Sequence, residues 1–541
     1  MSAFTPTDQQ KDAINYKGNM VITACPGSGK TTVIKEKIRQ ITPELLNHKG
    51  IIAITFTRKA SLELKNRCKL NAHDTKQSFF GTIDSFCYKE LILPFLSRVW
   101  DGSPNNCQVV KRLQTPYKKY LADVYEKSPS LEDLNSDKGF KRLFDDEILW
   151  MSSFAAIALH ILNESSAAQR YIKAKYSHIF IDEYQDTSKA QHQLFLKLFE
   201  LGLIATAVGD IQQSIFEFRG GSPELLKQLS DNEDNFKHFE ITINHRSHPS
   251  IINYASRLLN PDFQLLEYEG DARVHQLELD GNLKNVGEQI SVWVTELLKS
   301  GDIDTPSEVA ILTRKIDSIK LLSTGLEVNH RVYVDSPLDE LGTACADLYS
   351  DLLAFSLGTI PTAQDLIDKQ FQFINSKKQH IANFRTHLLN LKNEQNIDEF
   401  INKCRNLALN LQIDDTHDSD NVLKQILEHE EQLKLFKPID KNEVQVMTLH
   451  KCKGLEFKVV FHLDLEDWVF PFKRVIDSDW DNPIYPNLIQ EKNLHYVGIT
   501  RAENDCVLIQ AGLRRNSFGE FKVSKPSCFL TLPQLEGLYQ Q

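Results

Sequence analysis

The chain of 541 residues carries 62 Lys and Arg against 73 Asp and Glu, a formal net charge of -11, and 41% of it is hydrophobic. That length predicts about three or four folded units with sizeable cores, and excludes a disordered chain or a disulfide-stapled miniature. The acidic balance excludes coating of nucleic acid by bulk charge, while leaving room for a local binding groove.

The start, MSAFTPTDQQK, has neither the basic nor the apolar region of a secretory signal. The most apolar long stretch, LWMSSFAAIALHIL at 149–162, falls short of the roughly 20 residues that span a bilayer. Nine cysteines are scattered without a CxxC or a Cys/His cluster, so reduced thiols and a soluble, cytoplasmic protein are expected.

In chain order, short apolar runs recur at MVITA (20–24), IIAITF (51–56), HIFIDE (178–183), LIATAVGD (203–210), EVAILTR (308–314), VQVMTLH (444–450), KVVFHL (458–463) and CVLIQA (506–511). Several are continuous rather than alternating, which predicts buried parallel strands in α/β domains. Between them, about 90–167 and about 336–438, lie Leu-, Lys-, Asn- and Asp-rich segments with helical spacing. These predict two helical insertions, with QIDDTHDSDN (412–421) as a solvated acidic loop.

ACPGSGKTT follows the run MVIT and precedes the helical VIKEKIRQI, the setting of a phosphate-binding loop. Backbone N–H groups of the Gly27–Gly29 turn can face anionic oxygens, Lys30 can reach the β- and γ-phosphates, and Thr31 can hold Mg²⁺. Ala24 stands where the strict pattern has its first glycine. HIFIDEYQDT ends an apolar strand in two carboxylates. Asp182 could take Mg²⁺ through water there, while Glu183 orients and deprotonates the attacking water. Arg246 in INHRS and Arg501 in VGITRAEN are candidate cations for the γ-phosphate.

TPTDQQKDAI, ACPGSGKTT, ITFTRKASLELKNR, GTIDSF, FIDEYQDTSKAQ, VGDIQQSIFEFRGG, NHRS, VAILTR, VMTLHKCKGLEF and YVGITRAEN occur in that order. In this series the chain resembles the UvrD/Rep/PcrA group of superfamily 1A DNA helicases. The resemblance implies two RecA-like P-loop domains with parallel sheets, each interrupted by a mainly helical insertion. The boundaries expected are 1–89 and 168–243 for domain 1A around insertion 1B at 90–167. Domain 2A is expected at 244–335 and 439–541, around a reduced insertion 2B at 336–438.

It also implies roles. Gln10 would read adenine beside His245, and Ala24, Cys25, Pro26, Gly27, Ser28, Gly29, Lys30, Thr31 and Thr32 would surround the phosphates of ATP. Thr31 and Asp182 would hold Mg²⁺, Gln213 would sense the γ-phosphate, and Arg246 and Arg501 would be arginine fingers. Glu456 would meet the ribose. Phe56, Thr57, Thr82, Phe216, Phe218, Thr448 and His450 would contact single-stranded DNA, with stacking on aromatic rings supplying grip that tolerates any sequence.

The chain departs from the group where His245 replaces a stacking Tyr, Thr32 replaces an Arg, Phe216 and Phe218 replace Tyr and Trp, and Asp84 replaces a His. Both insertions look short. Two activities follow from the resemblance: a 3′ to 5′ helicase or translocase on single-stranded DNA and tailed duplexes, or a DNA-sensing accessory ATPase. The latter would activate a partner nuclease, as the similarity of ITACPGSGKT and GTIDSFC to UvrD-like subunits of Gabija anti-phage systems implies. The chain holds no nuclease constellation of its own.

Overall fold

The computed structural model describes residues 5–541 except 116, 122, 123, 125–127, 216–219, 375, 393, 414, 415, 477, 478, 480, 481, 517 and 518. It divides into two compact units, Met1–His245 with Gln364–Arg385, and Arg246–Ala363 with Thr386–Gln541.

The first unit is built on six parallel strands: β1 (Met20–Ala24), β2 (Gly50–Ile54), β3 (Phe79–Gly81), β4 (Tyr176–Ile181), β5 (Ile204–Gly209) and β6 (Lys237–Ile241). Their spatial order is β3-β2-β4-β5-β1-β6. Side chains alternate across a strand, and here both faces are covered. Met20, Ile22, Ile51 and Ala53 pack with Val33, Ile34, Ile38 and Leu64 on one side, while Val21, Ile52, Ile54 and Ile179 join a second cluster on the other. This double burial explains why the central strands read as unbroken apolar runs. Helices α1 (Asp8–Asn15), α2 (Lys30–Ile41) and α3 (Arg58–Cys68) position the residues discussed below.

Residues 90–167 are mostly helical but include a short parallel pair, Gln108–Val110 with Ile148–Trp150. A piece of the second helical segment also belongs to the first unit. Phe373 meets the rings of Tyr88 and Phe154 edge-on, at centroid distances of 5.3 and 5.8 Å.

The second unit holds another six-stranded parallel sheet: β7 (Val274–Leu279), β8 (Val309–Thr313), β9 (His330–Tyr333), β10 (Val444–Thr448), β11 (Phe457–His462) and β12 (Ala502–Ala511). The order is β9-β10-β8-β11-β12-β7. Its remaining helical segment corrects one expectation. The acidic stretch 412–421 is not all loop, since a helix starts at His417. Asp418 and Asp420 lie in its first turn, where carboxylates favour the positive end of the helix, and Asp420 also pairs with Arg405 at 2.8 Å.

His495 on the helix Leu488–Ile499 of this unit and His462 at the end of β11 are fully buried, with Nδ1 of His495 2.9 Å from Nε2 of His462. Phe470 and Phe529 surround them, and burial pushes His462 down to about 4 and His495 well below the usual imidazole range. Imidazoles depressed in the folded state bind protons later than in the unfolded chain, so their contribution is lost as pH falls. Unfolding titrations from pH 7 to 4 should show stability falling by up to about 1.4 kcal/mol per pH unit for each such histidine. His462→Asn should flatten that dependence, and an unchanged acid slope in the variant would refute it. Glu466, whose carboxyl burial raises to about 8, works in the opposite sense, so the difference between wild type and variant is the informative quantity.

Candidate active site

Between β1 and α2 the chain turns through Gly27 (φ 68°) and Gly29 (φ 77°), left-handed conformations that a side chain would strain. Gly29 caps α2 without a side chain, leaving the helix N-terminus open to an anion. Behind it, Gln10 is almost fully buried. Its Nε2 donates to Ser28 O at 2.9 Å and its Oε1 accepts from Thr7 N at 2.9 Å, closing a capping box at the start of α1. Gln10 thus braces the turn. His245 is exposed, and its backbone N–H donates to Gly27 O at 3.0 Å. On the same side, Cys25 N–H donates to Ile241 O, and the Cys25 thiol, pushed up to about 11 by burial, donates to Thr242 O.

Lys30 Nζ donates to Ala24 O at 3.1 Å and Cys25 O at 3.3 Å, and lies 4.0 Å from the Asp210 carboxylate. Thr31 Oγ1 donates to Asp182 Oδ2 at 3.2 Å, and Glu183 N–H donates to Asp182 Oδ1 at 3.0 Å. Burial, then the Glu183 charge, push the Asp182 carboxyl well above the usual carboxylate range, with Lys30 pulling it back. Thr32 Oγ1 accepts from Arg67 of α3 at 2.9 Å.

Two participants escaped the sequence reading. Asp210, just after β5, accepts from Gln213 Nε2 at 2.5 Å and Gln212 N–H at 3.0 Å. Gln185 accepts from Asp210 N–H at 3.0 Å and donates to Glu183 Oε2 at 2.5 Å. Lys30, Thr31, Asp182, Glu183, Gln185, Asp210 and Gln213 therefore form one connected polar array. The signal for Asp210 was present: VGD ends an apolar strand in a carboxylate, as HIFID does.

Phe56, 45% exposed, Thr82 and the Asp182–Glu183 pair line a common cleft of about 250 Å³. Thr57 and Thr82 serve as helix caps, accepting from Ala60 N–H at 3.2 Å and Ser85 N–H at 3.3 Å. Phe216 and Phe218 lie outside the described residues.

The remaining candidates belong to the second unit. Arg246 pairs with Glu456, and its guanidinium is held below its ordinary value by burial and then by Arg501. Arg501, 2% exposed, donates to Val497 O at 3.1 Å, Leu455 O at 3.3 Å and Thr500 Oγ1 at 3.3 Å. Thr448 ends β10 and accepts from Lys451 N–H through its carbonyl at 2.9 Å, and His450, two residues on, is half-buried.

The UvrD/REP helicase N-terminal domain model matches residues 6–100 and 103–234, and the UvrD-like helicase C-terminal domain model matches 358–511. The chain belongs to the UvrD-like helicase family. It is 28% identical over 530 residues to the Gabija protein GajB of Bacillus cereus (strain VD045), covering 94% of this chain and 97% of that protein. It is also 26% identical over 643 residues to the ATP-dependent DNA helicase Rep of Buchnera aphidicola subsp. Schizaphis graminum, with 97% and 96% covered. For the ATP-dependent DNA helicase PcrA of Staphylococcus epidermidis the figures are 24% over 634 residues, with 96% and 85% covered. This UvrD-like protein is thus a helicase-type ATPase built on two parallel α/β sheets. Among its described residues no helix is long and apolar enough to cross a membrane.

Proposed function

We propose that this chain is a cytoplasmic, Mg²⁺- and ATP-dependent DNA translocase and helicase moving 3′ to 5′ on single-stranded DNA. The observation that carries the reading is the connected array from Lys30 to Gln213, which puts a cation, a hydroxyl, three carboxylates and two glutamines beside an open helix N-terminus. The hard oxygen donors Thr31 Oγ1 and Asp182 suit Mg²⁺, which would neutralise phosphate charge. Lys30, now satisfied by two carbonyls, would turn to the β- and γ-phosphates. Glu183 would accept the proton of the attacking water. Gln213, tied to the Asp210 that faces Lys30, would register loss of the γ-phosphate, and Arg246 and Arg501 would stabilise its developing charge. Phe56, Thr57 and Thr82 on the first unit, and Thr448 and His450 on the second, would hold the strand.

One observation favours a second reading, a DNA-sensing ATPase that activates a partner nuclease in anti-phage defence. Alignment to Rep needs 643 positions for this chain, whereas alignment to GajB needs 530, so the insertions fit the GajB length better. A strand-displacement assay on a 3′-tailed duplex, beside single-strand-stimulated ATPase, separates the two. The expected result is displacement that is lost in Lys30→Ala. Strong stimulation without displacement selects the sensor, and an ATPase indifferent to DNA would overturn both.

A further inference from the structure

Gln9 stands outside the connected polar array, yet its side chain makes two bonds to one residue. Its Nε2 donates to Thr242 Oγ1 at 3.1 Å, and its Oε1 accepts from Thr242 N–H at 3.0 Å. Helix α1 therefore reaches in two directions from consecutive residues, with Gln10 holding Ser28 and Gln9 holding the segment that follows β6.

That segment lies along the glycine-rich turn. Cys25 N–H donates to Ile241 O at 3.1 Å, the Cys25 thiol donates to Thr242 O at 3.2 Å, and His245 N–H donates to Gly27 O at 3.0 Å. The last of these bonds orients a peptide. In a planar trans peptide the carbonyl and the N–H point opposite ways. Anchoring the Gly27 carbonyl on His245 turns the Ser28 N–H into the turn, where it stands 3.4 Å from Cys25 O. A bond of that length is weak, and an anionic oxygen entering the turn would take the N–H over. With the same peptide reversed, the anion would meet a carbonyl oxygen instead. Gly27, a glycine at φ 68°, offers no side chain to oppose the reversal, so the restraint has to come from outside the turn.

On the reading of this turn as the phosphate site, we propose that Gln9 is a positioning residue for ATP. Through Thr242 and His245 it keeps the Gly27 carbonyl away from the phosphates and the Ser28 N–H toward them. It acts through those two residues and not by contact with the nucleotide.

The test is steady-state ATPase kinetics of the full chain with single-stranded DNA present, comparing Gln9→Met and Gln9→Glu with wild type. Methionine keeps the length of the side chain and loses both bonds. It should raise KM for ATP about three- to tenfold, the scale of one or two partly solvated hydrogen bonds, and leave kcat within about twofold. Glutamate can accept from both the N–H and the hydroxyl of Thr242, and should restore KM to near wild type. Because the turn would hold phosphates and not a base, kcat/KM for GTP should fall by the same factor as for ATP. An unchanged KM in Gln9→Met, a rise that Gln9→Glu shares, a loss carried by kcat, or a loss confined to ATP would each overturn the assignment. Lys30→Ala with wild-type ATP affinity would instead remove the phosphate-site reading on which it rests.

Discussion

Glu183→Gln is expected to lower nucleotide hydrolysis by about 10²- to 10⁴-fold, the range contributed by a positioned general base. Nucleotide binding should survive, because the Gly27–Gly29 turn, Lys30 and Thr31 are untouched. The variant suits the site geometrically. Glu183 Oε2 accepts from Gln185 Nε2, and a glutamine carbonyl can accept the same bond. The backbone there is left-handed at φ 58°, a conformation that costs a non-glycine residue about 1 kcal/mol or more and that the following turn, Tyr184–Asp186, depends on. Glutamine keeps that constraint while losing the proton acceptor. It also removes the charge that helps hold Asp182 above the carboxylate range, so metal affinity should be retained or improved. Single-turnover hydrolysis beside titration with a fluorescent ATP analogue separates the two effects. Hydrolysis at the wild-type rate would dismiss Glu183 as the base.

Replacing the two arginines of the second unit should give losses of similar or greater size but different character. An arginine finger contributes about 10³- to 10⁵-fold in rate. Arg246→Ala should reveal that loss with a smaller change in melting temperature than Arg501→Ala, because its partner Glu456 is itself about half exposed at 47% and can return to water. Arg501→Ala should lower both rate and stability, since its buried guanidinium donates to the Val497 and Leu455 carbonyls and to Thr500, and these would lose their donor. Lysine at 501 keeps the charge but cannot reproduce the planar set of donors, and should rescue stability only in part. Comparing kcat and thermal midpoints for the three variants tests the distinction. A thermally neutral Arg501→Ala would contradict the contacts that hold it.

The strands that were legible and those that were not differ in a simple way. All eight apolar runs read from the sequence became central strands of the two sheets. Within the two six-stranded sheets, the four strands the sequence did not announce, β3, β6, β7 and β9, are the four edges. An edge strand meets solvent along one side, so Lys237–Ile241 is exposed or half-buried up to Ile241, where Gly50–Ile54 is buried throughout. The site shows a parallel division. The glycine-rich turn and the Asp182–Glu183 pair were legible because each lies within a few consecutive residues. Asp210 and Gln185 were not, because their meeting is set by sheet order. β5 pairs with β4 on one side and β1 on the other, with Ile181 beside Ala207 and Thr23 beside Gly209. That register brings the ends of three strands, and hence three carboxylates and Lys30, to one place.

The aromatic contact of Phe373 with Tyr88 and Phe154 bears on how the protein is made. As the chain leaves the ribosome, the six strands of the first sheet are all available once Ile241 has emerged. The ring that covers Tyr88 and Phe154 is translated much later, after half of the second unit's strands. A nascent first unit would therefore wait with an apolar face uncovered through the synthesis of β7, β8 and β9, a window in which such a face invites chaperones or misassembly. A fragment cut at His245 would carry that uncovered face permanently.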